Sequence, residues 1–124
     1  MPLVLIVEDS DNVAPLEIAL SSLEGIRIAI AWNGREALKL LETESGDLAA
    51  VITDLNLPLM DGFELIAAIR SQKRFGSLPI LVVSGDNKPE NSRRARELGA
   101  TAFFAKPYSP NQIRDTLEGL LYAS

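Results

Sequence analysis

Cysteine and histidine are both absent from the 124 residues, so the chain has no thiolate nucleophile, no disulfide, no imidazole base and no imidazole metal ligand. Any chemistry must run on carboxylates, lysine and hydroxyls. Long apolar runs are missing too. Stretches such as Leu3 to Val7 fall far short of the ~20 residues that cross a bilayer, and Met1-Pro2 begins a strand and not a charged leader with an apolar core. The expectation is a soluble, cytoplasmic protein with no membrane partner. Positive charge is in deficit as well: with 12 Lys and Arg against 17 Asp and Glu, the formal net charge is −5. Direct nucleic-acid binding rests on a Lys/Arg footprint and is therefore not expected.

What is present is enough apolar material for one core. Hydrophobic residues make up 47% of the chain and charged residues 23%, and the charges sit among apolar runs, so the signature of disorder is missing. A chain of this length supports one domain, taken as residues 1–124 with no separate output domain. Five short runs punctuate it: Leu3 to Val7, Ile26 to Ala31, Ala49 to Thr53, Ile80 to Ser84 and Ala102 to Ala105. Runs this continuous suit strands buried on both faces. The segments between them carry helical spacing, as in Phe63, Ile66 and Ile69, or Ile113, Leu117, Leu120 and Leu121.

Turn and cap signals agree with that division. Asn33-Gly34 ends the second strand, Asp61-Gly62 opens the third helix, and Ser109-Pro110 supplies an N-cap followed by proline at the first helical position. Pro15 is comfortable only in a first turn, which places the start of the first helix near Asn12 to Ala14. Strand and helix alternate five times with short connections, which implies right-handed crossovers. The architecture is a doubly wound α/β fold with a parallel sheet between helices.

In such sheets the ligand site lies beyond the carboxyl ends of the strands. The first strand ends in Glu8-Asp9, the third in Asp54, the fourth in Ser84-Gly85 and the fifth in Lys106-Pro107. Carboxylates crowded there repel by about 4 kcal/mol per pair at ~4 Å and an effective dielectric near ~20, a large fraction of a small domain's stability. Lys106 offsets one charge. A hard divalent ion with oxygen ligands, Mg²⁺ being the natural one, offsets the rest and keeps positions open for phosphate oxygens. Carboxylates accept phosphoryl groups as aspartyl phosphates. Asp54 has the position for this role, with Glu8 and Asp9 as metal ligands, Lys106 as charge clamp and Ser84 as hydrogen-bond donor.

Together these residues resemble the receiver domain of two-component response regulators, over essentially the whole chain. The resemblance rests on Val7-Glu8-Asp9, on Asn33-Gly34 with Glu36-Ala37-Leu38, and on the run from Asp54 to Gly62. It continues through Leu78-Pro79-Ile80, Ser84-Gly85, Leu98-Gly99-Ala100 and Lys106-Pro107. It implies a five-stranded parallel sheet in the order 2-1-3-4-5 with five helices, and a switch that catalyses its own phosphorylation and slow dephosphorylation. Asp54 is then the phosphoacceptor, Mg²⁺ is held by Glu8, Asp9, Asp54 and the backbone carbonyl of Asn56, and Lys106 binds the phosphoryl group. Ser84 is the hydroxyl that moves toward the phosphate. Phe103 follows it inward, in a place where the family often has tyrosine. Asn56 and Asp86 hold positions that tune phosphate lifetime, and Lys106-Pro107 is expected to be cis.

The implied partners are a histidine kinase or histidine phosphotransfer protein and a downstream effector, contacted through the fourth helix, fifth strand and fifth helix. The chain is expected to be a monomer or a weak phosphorylation-dependent dimer. An alternative is a relay intermediate that passes the group to a second histidine protein. A hydrolase of the haloacid-dehalogenase type would place its nucleophile on the first strand in an Asp-x-Asp pattern, whereas Asn56 stands two residues past Asp54. The basic run Lys88 to Arg96 reads either as a solvated helix face or as a surface for an acidic partner or a salt-bridged dimer. Trp32 reads as partly buried structure.

Overall fold

A computed structural model describes residues 2–8, 13–44, 46–85 and 88–122. In chain order the elements are β1 (Leu3–Val7), α1 (Ala14–Leu20), β2 (Arg27–Ala31), α2 (Gly34–Thr43), β3 (Leu48–Asp54) and α3 (Gly62–Arg70). A 3₁₀ turn (Lys73–Phe75) leads to β4 (Ile80–Ser84), α4 (Pro89–Leu98), β5 (Ala102–Ala105) and α5 (Pro110–Tyr122). All strand pairs are parallel, in the order β2-β1-β3-β4-β5. Two strands differ in their limits from the sequence reading. β2 starts one residue later, and β3 runs from Leu48, which pairs with Leu3, to Asp54, which pairs with Val83. The third strand therefore includes the carboxylate expected just beyond it.

Each strand presents alternate residues to the two faces, and both faces are covered. On one, Ile6, Ile52 and Val83 pack against Leu16 and Leu20 of α1 and Ile113 and Leu117 of α5. On the other, Val7, Val51 and Val82 meet Leu41 of α2, Ile66 and Ile69 of α3 and Ala95 of α4. Side chains buried this fully contribute roughly 1.5–3 kcal/mol each, which fixes strand register, because a slip of one residue would send every one of them to the wrong layer.

Helix starts follow the punctuation. Val13 precedes α1, and Pro15 lies in its first turn, where its missing N–H costs nothing. Asn33 does more than end a strand: its Oδ1 accepts a 2.8 Å bond from the Glu36 N–H and caps α2. Asp61 caps α3 in the same way through the Glu64 N–H, and Ser109 Oγ accepts from Gln112 at the start of α5. Caps of this kind stabilise by about 1 kcal/mol.

One long-range tie had no local signal. Arg70, the last residue of α3, donates from Nε and Nη2 to the Gly99 carbonyl at 3.0 and 2.7 Å and from Nη1 to the Phe75 carbonyl at 2.7 Å. Gly99 closes α4 at φ +116° with the Arg70 side chain where a Cβ would stand, so glycine is required there for both reasons. Among the described residues no helix is long and apolar enough to cross a membrane.

Candidate functional site

Register assembles the site. Val7 pairs with Thr53, so Glu8 comes alongside Asp54. Asp54 pairs with Val83 and Ser84 with Ala105, after which the chain continues into Lys106. Four of the strand ends singled out in the sequence thus meet at one edge of the sheet. Alternation then sorts them by face. Glu8 and Asp54 continue the series of Ile6 and Ile52 toward α1 and α5, and Lys106 continues that of Ala102 and Phe104. Ser84 continues the series of Ile80 and Val82 toward α3 and α4, where the half-buried Phe103 packs.

On the first of these faces one ammonium serves two carboxylates. Lys106 Nζ lies 2.5 Å from Asp54 Oδ2 and 3.3 Å from Glu8 Oε2. The two acids are only 5% and 6% exposed. Burial by itself would lower the Lys106 pKa, but the hydrogen bond and charge of Asp54 together with Glu8 outweigh it and hold the ammonium above its usual value. Nearby Tyr108 is also pushed up, by burial first and by the Glu8 charge second.

The Asp54 backbone is held closely. Thr53 Oγ1 donates to the Asp54 carbonyl at 2.8 Å, and the Asn56 N–H donates to Asp54 Oδ1 at 3.1 Å. Gly62, read from sequence as turn chemistry, has a packing role as well: a Cβ there would run into the Asp54 carbonyl and Leu55 Cα. The Lys106-Pro107 bond is cis, as the resemblance implies. Beside the ammonium a groove of about 260 Å³ opens between the starts of α1 and α5, lined by Glu8, Pro15, Lys106, Pro107, Tyr108 and Pro110. It leads to the Asp54 end of the sheet.

Two carboxylates against one lysine leave a surplus negative charge in a pocket whose donors are all oxygens. That donor set fits a hard divalent cation and no soft one. Among the described residues no three acidic side chains gather closely enough to hold a metal by themselves. Asp9, the third acid expected there, lies outside the described residues, as does Asp86. Ser84 is fully buried, and its carbonyl accepts from the Lys106 N–H at 2.8 Å. Trp32 follows the last residue of β2, beyond the sheet, and is 47% exposed, so about half of its surface is covered.

Known proteins share this fold. Residues 4–118 match the family model described as response regulator receiver domain. A chemotaxis protein CheY homolog of Campylobacter jejuni is 30% identical over 118 residues, covering 94% of this chain and 90% of its own. The alkaline phosphatase synthesis transcriptional regulatory protein PhoP of Bacillus subtilis is 31% identical over 98% of this chain. The match spans about half of that longer relative, 49% of its length. Among solved structures, chemotaxis response regulator CheY4 of Vibrio cholerae superposes with a TM-score of 0.83 at 32% identity, covering 98% of this chain and 99% of that one. Strand order, the lysine bridging two buried acids and the matched span agree: the chain belongs to the family of response regulator receiver domains.

Proposed function

We propose that this receiver domain is a metal-dependent switch that takes a phosphoryl group onto Asp54 from a histidine kinase or histidine phosphotransfer protein. The observation that carries the reading is the single Lys106 ammonium shared by two buried carboxylates. In the transfer, the phosphorus–nitrogen bond of a partner's phosphohistidine breaks as Asp54 Oδ forms a bond to phosphorus, and the imidazole leaves with the electron pair. The partner must supply that histidine, since this chain has none.

Lys106 then pairs with the incoming phosphoryl oxygens, exchanging carboxylate contacts for phosphate contacts. Glu8, Asp9, Asp54 and the Asn56 carbonyl would hold Mg²⁺, in keeping with a family that generally binds a divalent metal. When bound, such an ion neutralises charge on the transferred group and orients it. Ser84, at the end of the neighbouring strand β4, donates its hydroxyl to the new phosphate, and Phe103 follows it inward. The surface formed by α4, β5 and α5 changes with them and controls the binding of a downstream effector. Asn56 and Asp86 set the access of hydrolytic water to the aspartyl phosphate. A cytoplasmic setting suits a soluble domain fed by a kinase.

The test is incubation with acetyl phosphate and Mg²⁺ followed by intact mass measurement. The expected product carries one phosphoryl group, loses it to hydroxylamine, and does not form in Asp54→Asn or with a chelator. Labelling that persists in Asp54→Asn would overturn the assignment.

A further inference from the structure

The charge of this chain is divided unevenly. Residues 70 to 97 hold seven of the twelve Lys and Arg but three of the seventeen acids, a net charge of +4 in a chain of −5, which leaves −9 on the remainder. Three of the five cations outside this stretch are ion-paired. Arg27 pairs with Glu44 and Asp47, Lys106 with Glu8 and Asp54, and Arg114 with Asp115 and Glu118. Among the described residues, Lys73, Arg74, Arg93, Arg94 and Arg96 have no carboxylate within 4.0 Å. All five are exposed.

Two of these five are positioned without being neutralised. The Arg94 guanidinium stacks over the Phe63 ring at 4.2 Å, and that of Arg74 over the Phe75 ring at 4.7 Å. Stacking on an aromatic face restricts a guanidinium while leaving most of its in-plane donors available, so less entropy is lost when an anion arrives. Arg93, Arg94 and Arg96 share little more than one turn of α4, a helix of ten residues. Arg94 on Phe63 and Arg70 on Gly99 tie α4 along α3, which brings the cations of the 3₁₀ turn and of α4 to one side of the molecule.

We infer that this side, from the 3₁₀ turn Lys73–Phe75 along α4, is the docking surface for an acidic protein segment. Among the described residues, Arg35 and Lys39 of α2 also lack a carboxylate partner, but they belong to the part of the chain that carries −9, whereas the five cations here stand in a stretch of net +4. That local excess is what charge complementarity requires of a surface for carboxylates, and the guanidinium fork matches a carboxylate in two parallel bonds. A nucleic acid is disfavoured by the −9 carried by the rest of the chain, which repels an extended polyanion. An acidic segment of about eight residues reaches ~25 Å and covers the ridge without meeting that field. This inference deepens the switch reading by naming the chemical class of the effector that α4 contacts.

The experiment uses the full chain and a fluorescein-labelled Glu/Asp-rich peptide of about eight residues, with its Gln/Asn counterpart and a short DNA duplex as comparators, read by fluorescence anisotropy. The acidic peptide should bind at low ionic strength, and the neutral one should not. R93E/R96E should weaken binding by about tenfold or more, and R93Q/R96Q by less. R35E/K39E, which removes two cations from α2, should stay within about twofold. Equal losses in the α2 and α4 variants, tighter binding of the duplex, or no binding of the acidic peptide would each overturn the docking surface. Phosphorylation by acetyl phosphate is followed in the same samples. Peptide binding without modification of Asp54 removes the switch reading and leaves the ridge standing. Modification without peptide binding removes the ridge alone.

Discussion

The two faces of the sheet carry different parts of one site. On the face toward α1 and α5, Glu8, Asp54 and Lys106 form a charged cluster beside an open groove. On the face toward α3 and α4, β4 ends in an uncharged hydroxyl, Ser84, and β5 places an aromatic, Phe103, beside it. Adjacent residues of a strand point to opposite sides, so a group that reacts on one face has neighbours in the chain that pack on the other. In the proposed switch, the division would separate the charge balance of phosphoryl transfer from the packing that reports it. Any displacement at the sheet edge reaches α4 through strand ends that are already in contact with it.

The largest break of this comparison is expected from Lys106→Met. It leaves two buried carboxylates with no ammonium between them. Phosphoryl incorporation from acetyl phosphate should fall by about tenfold or more, and the unfolding free energy by about 1–3 kcal/mol, less than for a wholly buried pair because the lysine side chain is 31% exposed. Urea denaturation measures the second effect. A variant as stable as the parent would mean that the two acids do not repel.

On the other face the effects should divide differently. Phe103→Ala should cost roughly 1–3 kcal/mol, below the usual value for a fully buried phenylalanine. Ser84→Ala and Phe103→Ala should keep incorporation within about threefold, while the amide shifts of α4 that accompany phosphorylation of the parent are lost. NMR of each variant before and after acetyl phosphate decides this. If Phe103→Ala stopped incorporation as fully as Lys106→Met, the two faces would not be separate.

The smallest effect is on alkaline stability. Lys106 and Tyr108 both have folded-state pKa values above their usual ones. For a raised pKa the folded state holds its proton longer, so the contribution is complete below the unfolded value, about 10 for either group, and is lost as pH rises through the folded value. Stability should therefore decline above about pH 10. The decline should flatten in Lys106→Met combined with Tyr108→Phe. An unchanged slope in urea titrations across this range would show that neither group is perturbed.

Much of this was legible in the residues because strands buried on both sides write themselves as unbroken apolar runs, and the hydrophilic residues that end them stand out. Asp54, Lys106, Glu8 and Ser84 were located by that contrast, and the start of α1 by Pro15. The same continuity hid which face each residue takes, since a run with no polar alternation has no visible parity. That is why the separation of Ser84 and Phe103 from the carboxylates emerges only with the register. Gly62 looked like a turn because its packing partner is the backbone of Asp54, eight residues earlier. Arg70 gave no sign at all: its main acceptor lies 29 residues away, and a carbonyl acceptor leaves no mark on composition.

The Arg70 tie has a mechanical consequence. It ends on two carbonyls, which do not titrate, and its guanidinium keeps its proton throughout the range in which carboxylates gain and lose theirs. One end of α4 is thus moored by bonds indifferent to acidity and to the charge carried at Asp54. In the proposed switch, a tilt of that rod would be smallest near Gly99 and largest beyond the Arg94 stack on Phe63, toward its Pro89 end.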